Sequence, residues 1–471
     1  MTASSPVVAI IGGGFSGASV AWHLHEIVPD GLRVVIVEPH ADIGRGLAYS
    51  SQDPSHRINI PAKRMNIGAG QETHFHDWLV AGNYAAADPE AKIDAEKLYP
   101  TRQAFGSYVK DQIESLGASI VHVQSRAIAL ERDGKGWRIR CANGETIEAD
   151  IAVLAVCHTP PDTPFSLKAL QSHPRFFADP WQADPLRSIA PDDSVLIVGT
   201  GLTMADTVAT LDRLGHRGRI LAVSRHGLRS RPHANNNEDV YGDFLQPPPP
   251  QTALELLRRV RATIRAAKNE GQPWQAVIDQ VRYQGQDIWG ALSTLERARL
   301  LRHLRTFWDV HRFRIAPQVH DVLERRIQQG TLAIRAASVR AQAQHDAKIS
   351  VEFRARHSRD WTTQSFDAVV LATGPAHGTV FDHDPLLSQI RKAGLAGPDP
   401  LKLGIAVDGK GRAIGAENSA NPLYIAGPLA RGTFGELMGI SDLARYANVI
   451  AGDIGNQIGS MRDNLQKQAR I

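Results

Sequence analysis

The chain has 471 residues, 42% of them hydrophobic and 22% charged, which suits a soluble globular protein of two or three domains rather than a single core. A formal charge of +4 is small for this length and predicts neither nucleic-acid nor membrane binding. Two cysteines, Cys141 and Cys157, provide neither a C-x-x-C pair nor a disulfide framework, which disfavours dithiol redox chemistry and predicts a reducing, cytoplasmic setting.

The first apolar run, Val7 to Ile11, reads as a buried parallel strand, not as a signal segment, and no apolar stretch reaches the length of a membrane span. Gly12, Gly14 and Gly17 follow in G-x-G-x-x-G spacing around Phe15 and Ser16. The first glycine permits the tight turn, the second admits a pyrophosphate to the backbone, and the third lets helix pack on strand. A helix over Ala18–Ile27 and a strand over Arg33–Val37 come next, and the strand ends in Glu38, 21 residues after Gly17. That is the place of an acid that bonds a ribose hydroxyl. The position near residue 7 and the continuation into Gly44-Arg45-Gly46 favour FAD over NAD here, with Arg45 facing phosphate charge or else solvated in its loop.

Residues 49–117 lose clear periodicity, with helical pieces over His74–Leu79 and Arg102–Ser115, as in an insertion packed over the flavin. His74 and His76 have no third ligand at suitable spacing, so no metal is expected and Thr73 reads as a helix cap. Alternating segments at Ser119–Val123 and Trp137–Cys141, divided by the turn Arg132–Gly136, predict a β-meander. Ala149–Cys157 returns to a buried strand, with Cys157 an inert thiol at its end.

A proline-rich crossing from Pro160 to Pro191 leads to a second fingerprint. Strand residues 195–198 precede Gly199 and Gly201, then Leu202 and Thr203, but Met204 holds the third glycine's place. The next strand, Arg219–Val223, ends in Ser224 and Arg225 where an NAD-binding protein carries an acid. Serine and arginine there favour the 2′-phosphate of NADPH. Asp206 reads as a support for its helix rather than a base.

A proline spacer at 246–250 opens a long arginine-rich helical stretch, Thr252 to Gln329, whose interleaved apolar residues predict core-facing helices with a solvated arginine face. Strands at Ala333–Val339, Ile349–Ala355 and 365–375 follow, then a short strand at 421–428 that ends on Gly427, and a helix over Glu436–Gly452. The expected fold class is α/β: two Rossmann-like dinucleotide-binding domains with a helical insertion. The expected bounds are 1–160 for the N-terminal part of the FAD domain, 191–365 for the NAD(P)H domain with its insertion at 246–330, and 366–471 for the C-terminal part of the FAD domain.

Taken in order, these pieces resemble the two-dinucleotide-binding-domain flavoproteins, which include class B monooxygenases, N-hydroxylases and disulfide-reductase-type enzymes. The closer resemblance is to bacterial FAD/NAD(P)-binding proteins, among which are flavin-dependent urate hydroxylases. It rests on 44–49, 56–66, 199–204 and 308–312, and on the late Ala372-Thr373-Gly374 and Ile425-Ala426-Gly427 turns. In that architecture Gly374 marks the return from the NADPH domain and Gly427 lies near the flavin. One departure is clear: His173 and Trp181 are eight residues apart, not the spacing of the class B His-x-x-x-Trp pair.

The resemblance implies FAD and NADPH as cofactors and a monooxygenase that hydroxylates a small polar substrate. A dehydrogenase with a non-oxygen acceptor, or a flavin-binding redox sensor, are the alternatives. Candidate catalytic residues are Arg64 and Asn66 after the Gly-Arg-Gly turn, with FAD contact or turn structure as the alternative, and His311 and Arg312, with Arg314, at a substrate opening or else as salt-bridge partners between helices. The oligomeric state is not legible.

Overall fold

A computed structural model describes residues 5–94, 97–134, 136–156, 161–181, 185–234, 239–342, 348–374, 377–415 and 422–469. Cys157, expected at a strand end, and Pro375 lie outside the described residues.

The first unit opens β1 (Val7–Ile11), α1 (Phe15–Ile27) and β2 (Arg33–Val37), then runs through α2 (His74–Ala81), α3 (Tyr84–Ala87) and α4 (Arg102–Glu114). It continues with β3 (Ile120–Val123), β4 (Ala127–Asp133), β5 (Gly136–Cys141), β6 (Thr146–Ala149) and β7 (Ile151–Leu154). The second unit holds β8 (Phe176–Phe177), β9 (Val195–Val198), α5 (Leu202–Arg213) and β10 (Ile220–Ser224). Six helices follow: α6 (Ala253–Asn269), α7 (Trp274–Tyr283), α8 (Gly285–Ala291), α9 (Thr294–His303), α10 (Arg305–Arg312) and α11 (Pro317–Gln328). Strands β11 (Leu332–Ala341), β12 (Ile349–Ala355), β13 (Thr362–Phe366) and β14 (Ala368–Leu371) complete that unit. The chain ends with α12 (Val380–His383), α13 (Pro385–Lys392), β15 (Leu423–Ile425), α14 (Arg431–Phe434) and α15 (Ile440–Ala469).

Two parallel sheets form because the apolar runs are short, β-branched and buried on both faces. The first has the order β15-β7-β1-β2-β3, all neighbours parallel. The second has the order β13-β12-β11-β10-β9-β14-β8, parallel except for the antiparallel β11-β12-β13 edge. Each fingerprint closes in the same way. Gly12 N donates to Val37 O at 2.9 Å and Gly199 N to Val223 O at 2.8 Å, so each turn is tied to the end of the following strand.

Three expectations are revised. The meander is β4-β5-β6; residues 120–123 instead join the first sheet beside β2, because β2 needs an apolar partner on its far edge. Strand β14 pairs with β9, so 368–371 belongs to the second sheet although the bound was placed at 365; β8, before 191, joins the same sheet. The long helical stretch is broken into six helices: Gly271 and Pro273 end the first, and Ser293 caps the fourth through its hydroxyl.

Candidate functional site

The first fingerprint presents α1's free N–H groups at the edge of the first sheet. Gly12 has φ +106°, and a Cβ there would lie 2.7 Å from Ala155 O, so only glycine lets β1 end against β7's exit. Phe15 is buried and packs its ring on Phe105, leaving its backbone to face the turn. Loop 44–46 lies across this turn: Gly44 N donates to Gly13 O at 2.7 Å, and a Cβ on Gly46 would stand 3.1 Å from Gly14 Cα. Gly427, at φ +104°, brings the C-terminal strand over the same helix start, where a Cβ would meet Ser16 Oγ at 2.7 Å.

Glu38 is buried, and its Oε2 accepts from Gly13 N at 2.8 Å. Its Oε1 takes His40 N at 3.0 Å and His40 Nδ1 at 2.5 Å. One lone pair of Oε2 remains for a ribose hydroxyl. Arg45 is the local cation: Nη2 donates to Ser107 Oγ at 3.4 Å, while Nε lies buried 3.3 Å from Asp42 without making a hydrogen bond. A buried guanidinium NH left without a hydrogen bond beside a glycine-lined turn fits a pyrophosphate.

The second fingerprint is more open. Among the described residues, chain neighbours aside, no heavy atom stands within 4 Å of a Cβ built on Gly201 or on Gly374, so backbone lies open at α5's N-terminus and after β14. Such a cradle fits a dinucleotide. Met204 is fully buried, taking up the room that a third glycine would leave. Ser224 is engaged by the loop itself, with Thr200 Oγ1 at 2.8 Å and Gly227 N donating at 3.0 Å. Arg225 is exposed and makes no hydrogen bond or ion pair among the described residues.

Between the units lies a cavity of ≈ 670 Å³. The start of α5 (Gly201 to Thr203) and residues 372–374 wall one side, Gly435, Glu436 and Met438 another, and helices α6–α10 the rest. Its wall is mostly apolar, whereas the substrate expected from the sequence is small and polar. Of the four candidate catalytic residues only His311 lines it. Its Nδ1 lies 2.7 Å from Phe307 O, which places the ring proton on Nδ1 and leaves Nε2 as an acceptor. Arg312 is instead 6% exposed; its Nε donates to Glu436 Oε1 at 3.0 Å, because a buried guanidinium needs a carboxylate more than a loop needs a cation. Arg314 is likewise buried and forks onto Asp279, at 2.6 Å from Nη2 and 3.1 Å from Nη1.

Arg64 and Asn66 lie off the cavity wall. Asn66 Oδ1 accepts from Phe75 N at 3.2 Å and so holds the entry to α2; Arg64 is half-exposed, 3.7 Å from Asp279. Thr73 stands at the N-cap of α2 in a left-handed conformation, but its hydroxyl bonds the Asp77 side chain at 2.8 Å rather than a backbone N–H. His74 Nδ1 pairs with Tyr108 OH at 2.8 Å, and no cluster suited to a metal occurs among the described residues.

Sequence reasoning missed Glu436 and Asp309. Glu436 joins Arg312 to Trp308, whose Nε1 donates to it at 3.3 Å. Asp309 opens onto the cavity, and its apolar surroundings push its carboxyl above the usual carboxylate range, with Arg305 and Arg431 acting in the opposite sense. The Trp-Asp-Val-His-Arg segment at 308–312 was the available signal: it puts three of these groups within one helical turn.

Residues 9–159 match the family model described as FAD-NAD(P)-binding. No curated protein matches the chain. Among solved structures, the reduced form of ornithine hydroxylase from Pseudomonas aeruginosa is similar at 17% identity and TM-score 0.67, over 96% of this chain and 99% of that one. Ornithine N-hydroxylase from Kutzneria, in a complex with reduced FAD, NADP+ and ornithine, is similar at 16% identity and TM-score 0.67, over 97% and 100%. Thioredoxin reductase from Lactococcus lactis is similar at 10% identity and TM-score 0.52, over 96% and 98%. Among the described residues no helix is long and apolar enough to cross a membrane.

Proposed function

From a chain with the fold of the two-domain flavoproteins, we propose an FAD-dependent, NADPH-reduced monooxygenase that hydroxylates a small organic molecule. One observation carries this reading: a single cavity is bounded by the second fingerprint's helix start, by the C-terminal part of the first unit, and by an apolar third wall. The second fingerprint's backbone opens onto it, and its apolar wall lowers the dielectric where a third molecule would sit.

When bound, FAD and NADPH supply the electron transfer and oxygen activation. The chain's part is to hold and orient. The helix start after Gly12, with Gly14, Phe15, Ser16 and Gly17, receives the FAD pyrophosphate, with Arg45 and Gly46 from the loop above, Glu38 at the ribose and Gly427 from the far side. Gly199, Gly201, Leu202, Thr203 and Gly374 receive NADPH, with Ser224 and Arg225 beside its 2′-phosphate. His311 Nε2 is the acceptor for a substrate proton at the cavity wall. Arg312 positions Glu436 and Trp308 and touches no substrate. Arg64 shapes the approach through Asp279, and Asn66 through α2. The buried Cys141 lies in the meander, so a cysteine-pair mechanism finds no support.

Anaerobic mixing of the FAD-loaded protein with NADPH tests the first half: the flavin's visible band must bleach. Admission of labelled oxygen tests the second: one labelled oxygen atom must appear in a product. Bleaching followed by turnover with a dye acceptor alone would replace the reading with a dehydrogenase. Retained FAD that NADPH never bleaches would leave a binding protein.

A further inference from the structure

The cavity is apolar within and basic at its rim. Leu256, Ile278, Val281, Ile288 and Leu292 line its interior and are all buried. Its exposed members include Arg261, Arg305 and Phe307, with the Arg305 side chain 46% and Phe307 45% exposed. Arg261 makes no hydrogen bond or ion pair among the described residues. Arg305 Nε stands 3.5 Å from Asp309 Oδ2, a loose exposed pair that another anion can displace.

Apart from Asp309, the acids nearby are already matched. Glu436 is held by Arg312 at 2.9 Å, while Asp442 is held by Arg282 at 2.9 Å, Arg312 at 3.5 Å and Arg445 at 2.5 Å. Across residues 246–330 fourteen Arg and Lys face eight Asp and Glu, so this segment carries +6 in a chain whose total is +4. A basic rim around a low-dielectric chamber concentrates anions. It opposes an ammonium group, which would meet Arg261 and Arg305 on entry.

We propose that the substrate is an amphiphilic carboxylate: a hydrocarbon body inside the chamber formed by α6–α9, and a carboxylate at the rim between Arg261 and Arg305. The guanidinium fork matches a carboxylate in two hydrogen bonds, and the part of the interior lined by Leu256, Ile278, Val281, Ile288 and Leu292 suits a hydrocarbon body. This identity rests on the monooxygenase reading, whereas the binding it requires does not.

Calorimetric titration of the FAD-loaded protein with decanoate, decan-1-ol and decylamine tests it, because binding is read without turnover. Decanoate should bind about tenfold more tightly than decan-1-ol, and decylamine most weakly. Octanoate should bind roughly tenfold more weakly than decanoate, since each buried methylene adds about threefold to fourfold. The double variant R261A/R305A should remove decanoate's advantage and leave decan-1-ol binding unchanged, with an unaltered melting temperature as the check on folding. Tightest binding by decylamine, no dependence on chain length, or no binding at all overturns the proposal. So does a double variant that weakens NADPH and leaves decanoate unaffected, since the two arginines would then serve the nucleotide. If decanoate binds as expected but labelled oxygen never enters a product, the binding site for an amphiphilic carboxylate stands and the monooxygenase reading fails.

Discussion

Arg102 Nη2, in the first turn of α4, donates to Asp206 Oδ2 of α5 at 2.5 Å and so joins the first dinucleotide unit to the second. Asp206 is 5% exposed, and the Trp181 ring lies 5.3 Å from the guanidinium. One turn further along α5, Thr210 donates to Asp53 at 2.7 Å and meets His56 Nε2 at 2.9 Å, and Arg213 forks onto Asp53. Asp206 thus supports its helix, as its sequence position implies, but does so by anchoring it to the opposite unit. This face of α5 is one of the contacts that fix the two fingerprints relative to each other; Arg312 with Glu436 and Arg282 with Asp442 form another.

Removing one partner of this pair leaves an uncompensated charge in a mostly buried site. Because Arg102 keeps some solvent access, Asp206→Ala should cost about 2–3 kcal/mol rather than the full penalty of a dry pair. R102A/D206A should cost less than the sum of the two single changes by about 1 kcal/mol or more. Urea unfolding of all four proteins measures the coupling; strict additivity would show that the contact contributes nothing.

Burial sets the response to acid. His23 and His233 are both held at about 4, below the ordinary 6.5, by loss of solvent around their rings. Between those values the unfolded chain takes up protons that the folded chain refuses, so stability falls as pH drops through that window and is level above it. Near pH 5 the loss is about 2 kcal/mol for each ring. Asp367, held at about 2, adds its share only below the ordinary carboxylate range. Burial also lowers the pKa of His56 and His216, so urea midpoints should be flat from pH 8 to 7 and decline by pH 5, with a smaller decline in His233→Gln. An unchanged midpoint at pH 5 counts against buried neutral histidines.

The glycines of the two fingerprints should answer differently to the same substitution. A Cβ on Gly17 would press on Gly12 O and stand 3.1 Å from Ile10 Cγ2, so Gly17→Ala disturbs the junction of α1 with β1 and should release FAD and lower the melting temperature together. A Cβ on Gly201 meets no protein atom within 4 Å. Gly201→Ala should leave the melting temperature unchanged and weaken NADPH about tenfold or more, because the nucleotide proposed for this turn would fill that space. A fall in melting temperature for Gly201→Ala with NADPH affinity intact reverses the assignment.

What could be read from the chain alone followed sequence distance. The strand, glycine turn, helix, second strand and Glu38 of the first fingerprint lie within 32 residues, so local pattern determines them. The second fingerprint was legible for the same reason, and so was its departure at Met204. Pairings between distant segments were not. Strand β14 inserts beside β9 from 173 positions away, as Ala368 against Val195, and no local signal distinguishes it from a strand of the first sheet. Arg312, read as lining a substrate opening, is instead tied to Glu436, 124 residues on, a partner that no local pattern announces. The arginines of the helical stretch read as a solvated face, but Arg261 of α6 and Arg305 of α10 line the cavity.

Ser224 and Arg225 occupy the place where an acid would exclude NADPH, but the structure divides their roles. Ser224 Oγ already meets Thr200 Oγ1 and accepts from Gly227 N, so its hydroxyl ties the loop after β10 to the fingerprint turn. Thr200 has a single hydroxyl proton to share between Ser224 and Leu228 O. If that proton goes to the carbonyl, Ser224 must donate to Thr200 and has nothing left for a ligand. Arg225 is exposed and uncommitted, with five N–H donors. Arg225→Ala should therefore weaken NADPH roughly tenfold to a hundredfold and change NADH little, since only NADPH carries the 2′-phosphate. Ser224→Ala should weaken both nucleotides alike by loosening the loop. Steady-state KM values for the two nucleotides, measured on both variants by flavin reduction, separate these outcomes. Equal losses for NADPH and NADH in Arg225→Ala would remove the phosphate from this arginine and leave the cofactor preference to be set elsewhere.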